Sequence, residues 1–404
     1  GSVTSIALTG TAHAGRVGNV SVLQQLSSLR SLNLSVTSAF GDFGSLSNLH
    51  LEHLALQHSR VHGELASLEN LTGLQTLALA DNLERTIAGD LKALSKLVSL
   101  RELTLQCSRI TGRLASLANL TKLSLLVLNG TATSGSVAPL SNLTWLQQLD
   151  LRYTSAFFHL HDLQSFTRLA YLRLSHSSAF GELSAVSNLS QLRKLDIDGL
   201  QVSGHLSTLE HLTTISDAKL SNTQVAGNLK SLERLVDLKK FSMSSTEVQG
   251  DVASLASLSK LRSVDLRNTV VTGNIRDLAR STILETVNLG NTPVNGDISS
   301  LSSLTKLKHL SLSQTYVTGD VNAFARLTRL ITLDVSQTVV VGQLVFVRRL
   351  ENLEELDIHG AKLYGPLPQE LDRLSELKLL LLSNNQLSGT VPSHLPVNLR
   401  TLDL

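Results

Sequence analysis

One cysteine, Cys107, is all that the 404 residues contain. That excludes an internal disulfide framework and a cysteine-rich zinc site. Aromatic residues make up only 3% and prolines number six, few for such a length. Charge of one sign is also missing. Lys and Arg total 35 against 33 Asp and Glu, a net +2, so there is neither a nucleic-acid field nor an acidic tail. No apolar run approaches a membrane span, and no signal peptide is present. Any targeting segment is therefore expected outside these residues. Phosphate loops, Gly-x-Ser-x-Gly and His-Glu-x-x-His are all absent from the sequence, so no catalytic motif is on offer and the chain is expected to be no enzyme and to need no cofactor. The leading Gly1-Ser2 reads as a cloning remnant.

What is present is leucine, at a fixed rhythm. Hydrophobic residues are 42% and charged residues 17%, a globular balance. The second apolar residue of each Leu-x-Leu pair serves as a mark. Marks fall at Leu8, Leu34, Leu56, Leu79, Leu105, Leu128, Leu151, Leu174, Ile197, Leu220, Met243, Leu266, Leu289, Leu312, Val335, Ile358, Leu382 and Leu404. From Leu105 to Ile358 every step is 23 residues, eleven times in succession. Three-residue insertions near Gly15 and Glu84 break the rhythm earlier. Self-similarity of this period is the signature of a stacked repeat.

The unit Leu301–Ala323 shows the local logic. Leu310-Ser311-Leu312 alternates with period two and predicts a short strand. The stretch from Leu301 to Leu307 has period three, which suits an extended or 3₁₀-like return. A glycine seven residues past most marks, as at Gly273 and Gly319, predicts a turn that other residues would strain. One such unit cannot bury its leucines alone; stacked on neighbours it shares a continuous core. Residues 1–404 are thus expected to form one solenoid of about seventeen repeats rather than several domains.

These residues resemble the leucine-rich repeat pattern L-x-x-L-x-L-x-x-N-x-L over essentially the whole chain. Leu371–His394 is the nearest match, with Asn385 at the asparagine position and Leu387-Ser388-Gly389-Thr390-Val391-Pro392. Leu363-Tyr364-Gly365-Pro366-Leu367-Pro368 follows closely. Both are similar to the plant-type subclass, L-x-G-x-I-P. The resemblance implies an α/β-class solenoid: a right-handed superhelix with a parallel β-sheet on the concave face and mostly 3₁₀ or irregular return segments. Most units depart from the pattern by lacking the proline and one residue. They also place Thr or Ser where the family has asparagine (Thr37, Ser59, Ser108, Thr131, Thr154, Ser177, Thr223, Thr246, Thr269, Thr292, Thr315 and Thr338). Buried hydroxyl ladders with a structural role are expected there. The family's disulfide end caps are missing, so the chain is expected to be uncapped at both ends and part of a longer polypeptide holding caps, an anchor or a catalytic domain.

Few groupings carry chemistry. His50, His53, His58 and His62 cluster in sequence, but the repeat frame spreads them over return, strand and turn, so no metal site is expected. Acids follow the glycine at Asp42, Glu64, Asp90, Glu182, Asp251, Asp297 and Asp320. They read as a solvated edge in preference to a shared calcium column, since Arg113, His159, His205 and Pro366 interrupt them. Seven glycosylation sequons occur, at Asn19, Asn33, Asn70, Asn119, Asn129, Asn142 and Asn188. They are compatible with secretion, and a glycan at Asn33 or Asn129 would sit on the strand face.

One region offers anchors for a partner. Trp145, Tyr153, Phe157, Phe158, Phe166, Tyr171 and Phe180 supply half of all aromatics within 36 residues. The candidate partner site is Tyr171, Arg152, Arg173, Asp150, Tyr153, Phe157 and Phe180, because aromatic and Arg anchors dominate binding when desolvated. Against this, Phe157 and Phe180 would fold inward beside Ala156 and Ala179, as the Ser38-Ala39-Phe40 pattern repeats elsewhere. The functional expectation is a non-enzymatic recognition scaffold for a protein or peptide, of the receptor-ectodomain or inhibitor type. It has no nucleic-acid partner and no membrane insertion by this segment, and the plant-type resemblance implies an extracellular or cell-surface setting. A cytoplasmic one stays open. The alternative is a structural protein binding a repetitive surface such as ice, a polymer or a cell-wall matrix. It draws on the Thr-x-Val series from Thr223/Val225 to Thr338/Val340, but the residue between the two varies from turn to turn.

Overall fold

The computed structural model describes residues 2–8, 18–80 and 86–404. The insertions near Gly15 and Glu84 lie outside the described residues. The chain forms two compact units, Gly1–Val202 and Ser203–Leu404.

In the first unit, nine three-residue strands run from Ser5–Ala7 to Lys194–Asp196. In the second, nine more run from Asp217–Lys219 to Thr401–Asp403. All pair in parallel, and identical repeat positions face each other. Leu149 pairs with Leu172, and Val264 with Val287. The middle residue of each strand points inward and its neighbours outward, as alternation dictates. The return segments are short 3₁₀ helices, with no α-helix among the described residues. Period-three leucines favour this form because residues at i and i+3 eclipse on a 3₁₀ helix, stacking them along one line.

Each turn closes its own small share of the core. Leu301, Leu304, Leu307, Leu310, Leu312, Val317 and Val321 are all 0–1% exposed. Burial of each such side chain contributes about 1.5–3 kcal/mol. Since that burial needs the adjoining turns, stability is shared along each stack.

Two features of the turn escape the sequence pattern. Beyond the first strand of most turns lies a second short strand, such as Arg60–Glu64 or Glu247–Asp251, which pairs in parallel with its neighbour. In addition, among the described residues the one two past each mark is left-handed. Tyr153, His176, Asn268, Asn291, Gln314 and Gln337 all have φ between 52° and 58°. Glycine and asparagine recur at that position because they tolerate it best.

The glycine seven past the mark behaves as the sequence predicts. Gly273 has φ +108°, and a Cβ there would come within 2.1 Å of the Asp251 carboxylate one turn earlier. Asp251 occupies that space because its Oδ1 accepts the Ala253 N–H at 2.8 Å, capping the next 3₁₀ helix. The same cap is made by Asp42, Asp90, Asp297 and Asp320, and by Asn228 and Asn274. His159 and His205 cap with Nδ1. The acid column is therefore a column of helix caps, where Asn and His also serve because each offers one acceptor, though without the carboxylate's charge. Glu64 and Glu182 make no such bond.

The hydroxyl ladder is present but is local. Thr269 and Thr315 each donate to the carbonyl of their own mark three residues back, at 2.6 Å. Asn385 does more: its Nδ2 donates to Leu382 O and, one turn back, to Ile358 O, while Oδ1 accepts the Leu363 N–H.

Candidate functional site

On the strand face of the first unit, Asp150 ends the strand Gln148–Asp150 and is only 1% exposed. Two guanidinium groups enclose it. Arg152 binds it bidentately, Nε to Oδ1 at 2.9 Å and an Nη to Oδ2 at 2.7 Å. Arg173, from the strand paired beside it, reaches Oδ2 at 3.4 Å. The bond to Asp150 is the largest influence on Arg152, raising its pKa further above its ordinary value. Both arginines remain about 28% exposed, so each guanidinium keeps a face open to a ligand.

Asp196 lies one strand on, in register with Arg173. Its Oδ1 is buried and accepts no hydrogen bond. At the corresponding position of other turns this oxygen caps the backbone two residues on, as in Asp334 to the Ser336 N–H and Asp357 to the His359 N–H. In Asp196 the Oδ1 lies beneath the surface of the face, in the turn next to Arg173.

The structure divides the seven residues that the sequence groups together. Asp150, Arg152, Tyr171 and Arg173 share the strand face. Tyr153, 59% exposed, stands at the left-handed corner and stacks on His176 at 4.5 Å, 12° from parallel. Phe157 and Phe180 lie beyond the corner, with ring centroids 5.1 Å apart. Ala156 and Ala179 take the inward places, while Phe157 is 62% exposed and Phe180 half-exposed. The inward alternative for these rings therefore fails: Phe40 is likewise exposed, at 48%. Of the other aromatics, Phe158 and Phe166 are core, and Trp145 is capped by Arg168 at 3.9 Å.

A second feature escaped the sequence reading. In the second unit a groove of about 1100 Å³ crosses six successive turns. Its floor is the threonine column from Thr246 to Thr338, and one side is formed by the left-handed residues Asn268, Asn291, Gln314 and Gln337. The amides link along the column, Asn291 Nδ2 donating to Asn268 Oδ1 at 3.0 Å and Asn268 Nδ2 to Ser245 Oγ at 3.3 Å. The other side is Glu247, Val270, Pro293, Tyr316, Val339 and Lys362. Tyr316 is 68% exposed and Val270 60%. The first five of that side are the variable residues between Thr and Val, and Lys362 holds the same place between Ala361 and Leu363. The signal was there: four uncharged positions bracketed by one acid and one base.

Other candidates settle into structure. His50, His53, His58 and His62 are exposed and dispersed, and no group of three metal-ligating side chains exists among the described residues. Cys107 is half-buried at a left-handed corner. The sequons split into two sets. Asn70, Asn119, Asn142 and Asn188 are exposed at one repeat position on the returns. Asn19 and Asn33 use their side-chain oxygens on the Ser21 and Ser35 N–H groups, and Asn129 Oδ1 is buried. No helix among the described residues is long and apolar enough to cross a membrane.

No family model and no curated protein matches the chain. Solved structures do match. The ectodomain of the Arabidopsis receptor kinase HAESA, in complex with the peptide hormone IDA and the co-receptor SERK1, is 24% identical. It has a TM-score of 0.78 and covers 100% of this chain and 78% of its own. The ectodomain of the Arabidopsis receptor kinase GASSHO1 is 24% identical with a TM-score of 0.72, covering 96% of this chain and 54% of its own. A leucine-rich-repeat protein of Leptospira interrogans is 20% identical with a TM-score of 0.63, covering 91% and 88%. This chain thus spans little more than half of one receptor ectodomain and about three quarters of another. The likeness establishes the leucine-rich-repeat fold.

Proposed function

We propose that this leucine-rich-repeat chain is a non-enzymatic recognition module that binds a protein or peptide partner on the strand face of its first unit. The observation that carries this reading is the pair of partly exposed guanidinium groups, Arg152 and Arg173, held together on the strand face by the buried Asp150, with Tyr171 on the same strand as Arg173. The two arginines offer donors at their exposed faces, and Tyr171 offers a rigid apolar surface with a hydroxyl, the anchor types that dominate interfaces.

HAESA is described in complex with a peptide hormone and a co-receptor, which supports a receptor-like role. The motif at Leu387–Pro392 supports the plant-type subclass. A cell-surface setting accords with the four exposed sequons on the first unit.

Panning a displayed random-peptide library on the full chain tests the reading. Enriched peptides should lose at least about tenfold in affinity for Tyr171→Ala or Arg173→Lys, the equivalent of about 1.4 kcal/mol. Peptides that bind both variants as well as the parent would place recognition elsewhere. Removing both arginines is the wrong probe, since it would strip the buried Asp150 of its partners.

A further inference from the structure

We infer that the groove of the second unit is a separate docking site for a proline-rich segment of a protein partner, held in the polyproline II form. The basis is spacing and charge, and it stands independently of the strand-face reading.

Turns are spaced by about 4.8 Å, so every second turn recurs at about 9.6 Å. A polyproline II helix rises about 3.1 Å per residue with three residues per turn, so every third side chain recurs at about 9.3 Å. The ligand therefore stays in step with alternate wall residues, Val270 and Tyr316 on one phase and Pro293 and Val339 on the other. An extended strand repeats its side chains at about 6.6–6.8 Å and would fall out of register within two turns. From Glu247 to Lys362 there are five steps, about 24 Å, room for about eight residues in this form.

The opposite side of the groove suits the same ligand. A polyproline II backbone makes no internal hydrogen bonds and leaves its carbonyls free. Asn268 and Asn291 each use an Nδ2 in one bond along the column. Each amide nitrogen has a second N–H, which can donate to a passing carbonyl. Prolines bring no N–H that would need an acceptor, so the apolar wall opposite leaves nothing unsatisfied. The ends supply direction: exposed Glu247 selects a basic residue and exposed Lys362 an acidic one.

The experiment uses two fluorescent nonapeptides, Arg-Pro-Leu-Pro-Pro-Leu-Pro-Pro-Asp and the same core with Asp first and Arg last, titrated by anisotropy into the full chain. One polarity should bind at least tenfold tighter than the other. Tyr316→Ala should weaken it at least tenfold, and the charge exchange E247K/K362E should reverse the preference. All three positions are exposed, and circular dichroism checks that the variants keep the fold. Absence of binding by either peptide, or binding indifferent to both variants, would overturn the assignment. Tyr171→Ala should leave this binding unchanged, so failure here and failure of the strand-face reading are told apart.

Discussion

Asp150 in the first unit and Asp265 in the second hold the same repeat position, and each is followed two residues later by arginine. Their environments differ. Asp150 is 1% exposed with the Arg152 guanidinium at 2.7 Å, whereas Asp265 is 23% exposed and the Arg267 guanidinium comes no closer than 3.8 Å. The neighbouring turn decides the matter. It places Arg173 beside Asp150 but Asn288 beside Asp265. A second guanidinium allows the first carboxylate to be buried fully; without it the second is partly desolvated with little return. In a repeat protein, one side chain in the adjoining turn sets whether a charge is clamped or merely tolerated.

Breaking the clamp should give the largest effect. Arg152→Ala with Arg173→Ala leaves a buried carboxylate alone, a loss of about 3–5 kcal/mol. Guanidinium denaturation would register it, and adding Asp150→Asn should restore much of it. Arg267→Ala should cost less than about 1 kcal/mol, as exposed pairs do. Equal losses at the two places would erase the contrast.

The core and the strand register were legible because leucine spacing is a property of every turn and is repeated throughout. The threonine hydroxyls and the turn glycines were legible for the same reason. Features set between turns were not. That the acid after the glycine caps a 3₁₀ helix depends on space left by a glycine one turn later, as Asp251 and Gly273 show. The grouping of Phe157 with Tyr171 relied on closeness in sequence, yet the chain rounds a corner at Tyr153 and sends them to different faces. The groove was hidden because its wall residues were weighed for sameness, while complementarity to a ligand lies in their differences.

Glycine substitutions sharpen the contrast between units at the next level. At Gly273 an added Cβ meets Asp251 Oδ1 at 2.1 Å; at Gly135, in the first unit, nothing lies closer than 3.9 Å. Both have positive φ, +108° and +93°. Gly135→Ala should therefore cost only the left-handed strain, about 1 kcal/mol, and Gly273→Ala about 2 kcal/mol or more because the cap must also shift. Thermal melts of the two variants compare them directly.

Asn385 gives a smaller test of coupling between turns. Replacing it with threonine, the residue most turns use, keeps the bond to Leu382 O but gives up those to Ile358 O and the Leu363 N–H. A loss of about 1 kcal/mol is expected, read by denaturation. The reciprocal Thr338→Asn would gain only if it bridged its neighbours.

The smallest effect concerns pH and returns to the two aspartates. Burial is the largest influence on Asp265, and it raises the carboxyl above its ordinary pKa despite the opposing N–H and charge of Arg267. The folded state then holds the proton more tightly than the unfolded chain. Ionisation is a penalty, fully present above the folded pKa and relieved as pH falls through it. Asp265→Asn should accordingly be at least as stable as the parent at neutral pH, and its advantage should shrink on acidification. Asp297 runs the other way. The Ser299 N–H, then its hydroxyl, lower its pKa, so its contribution is present above the ordinary aspartate range and fades as pH falls through the lowered value. Stability profiles of Asp265→Asn and Asp297→Asn should therefore diverge from the parent with opposite signs at neutral pH and converge on it in acid. A parent that outlasts Asp265→Asn at neutral pH would mean that Arg267 clamps its aspartate as Arg152 does.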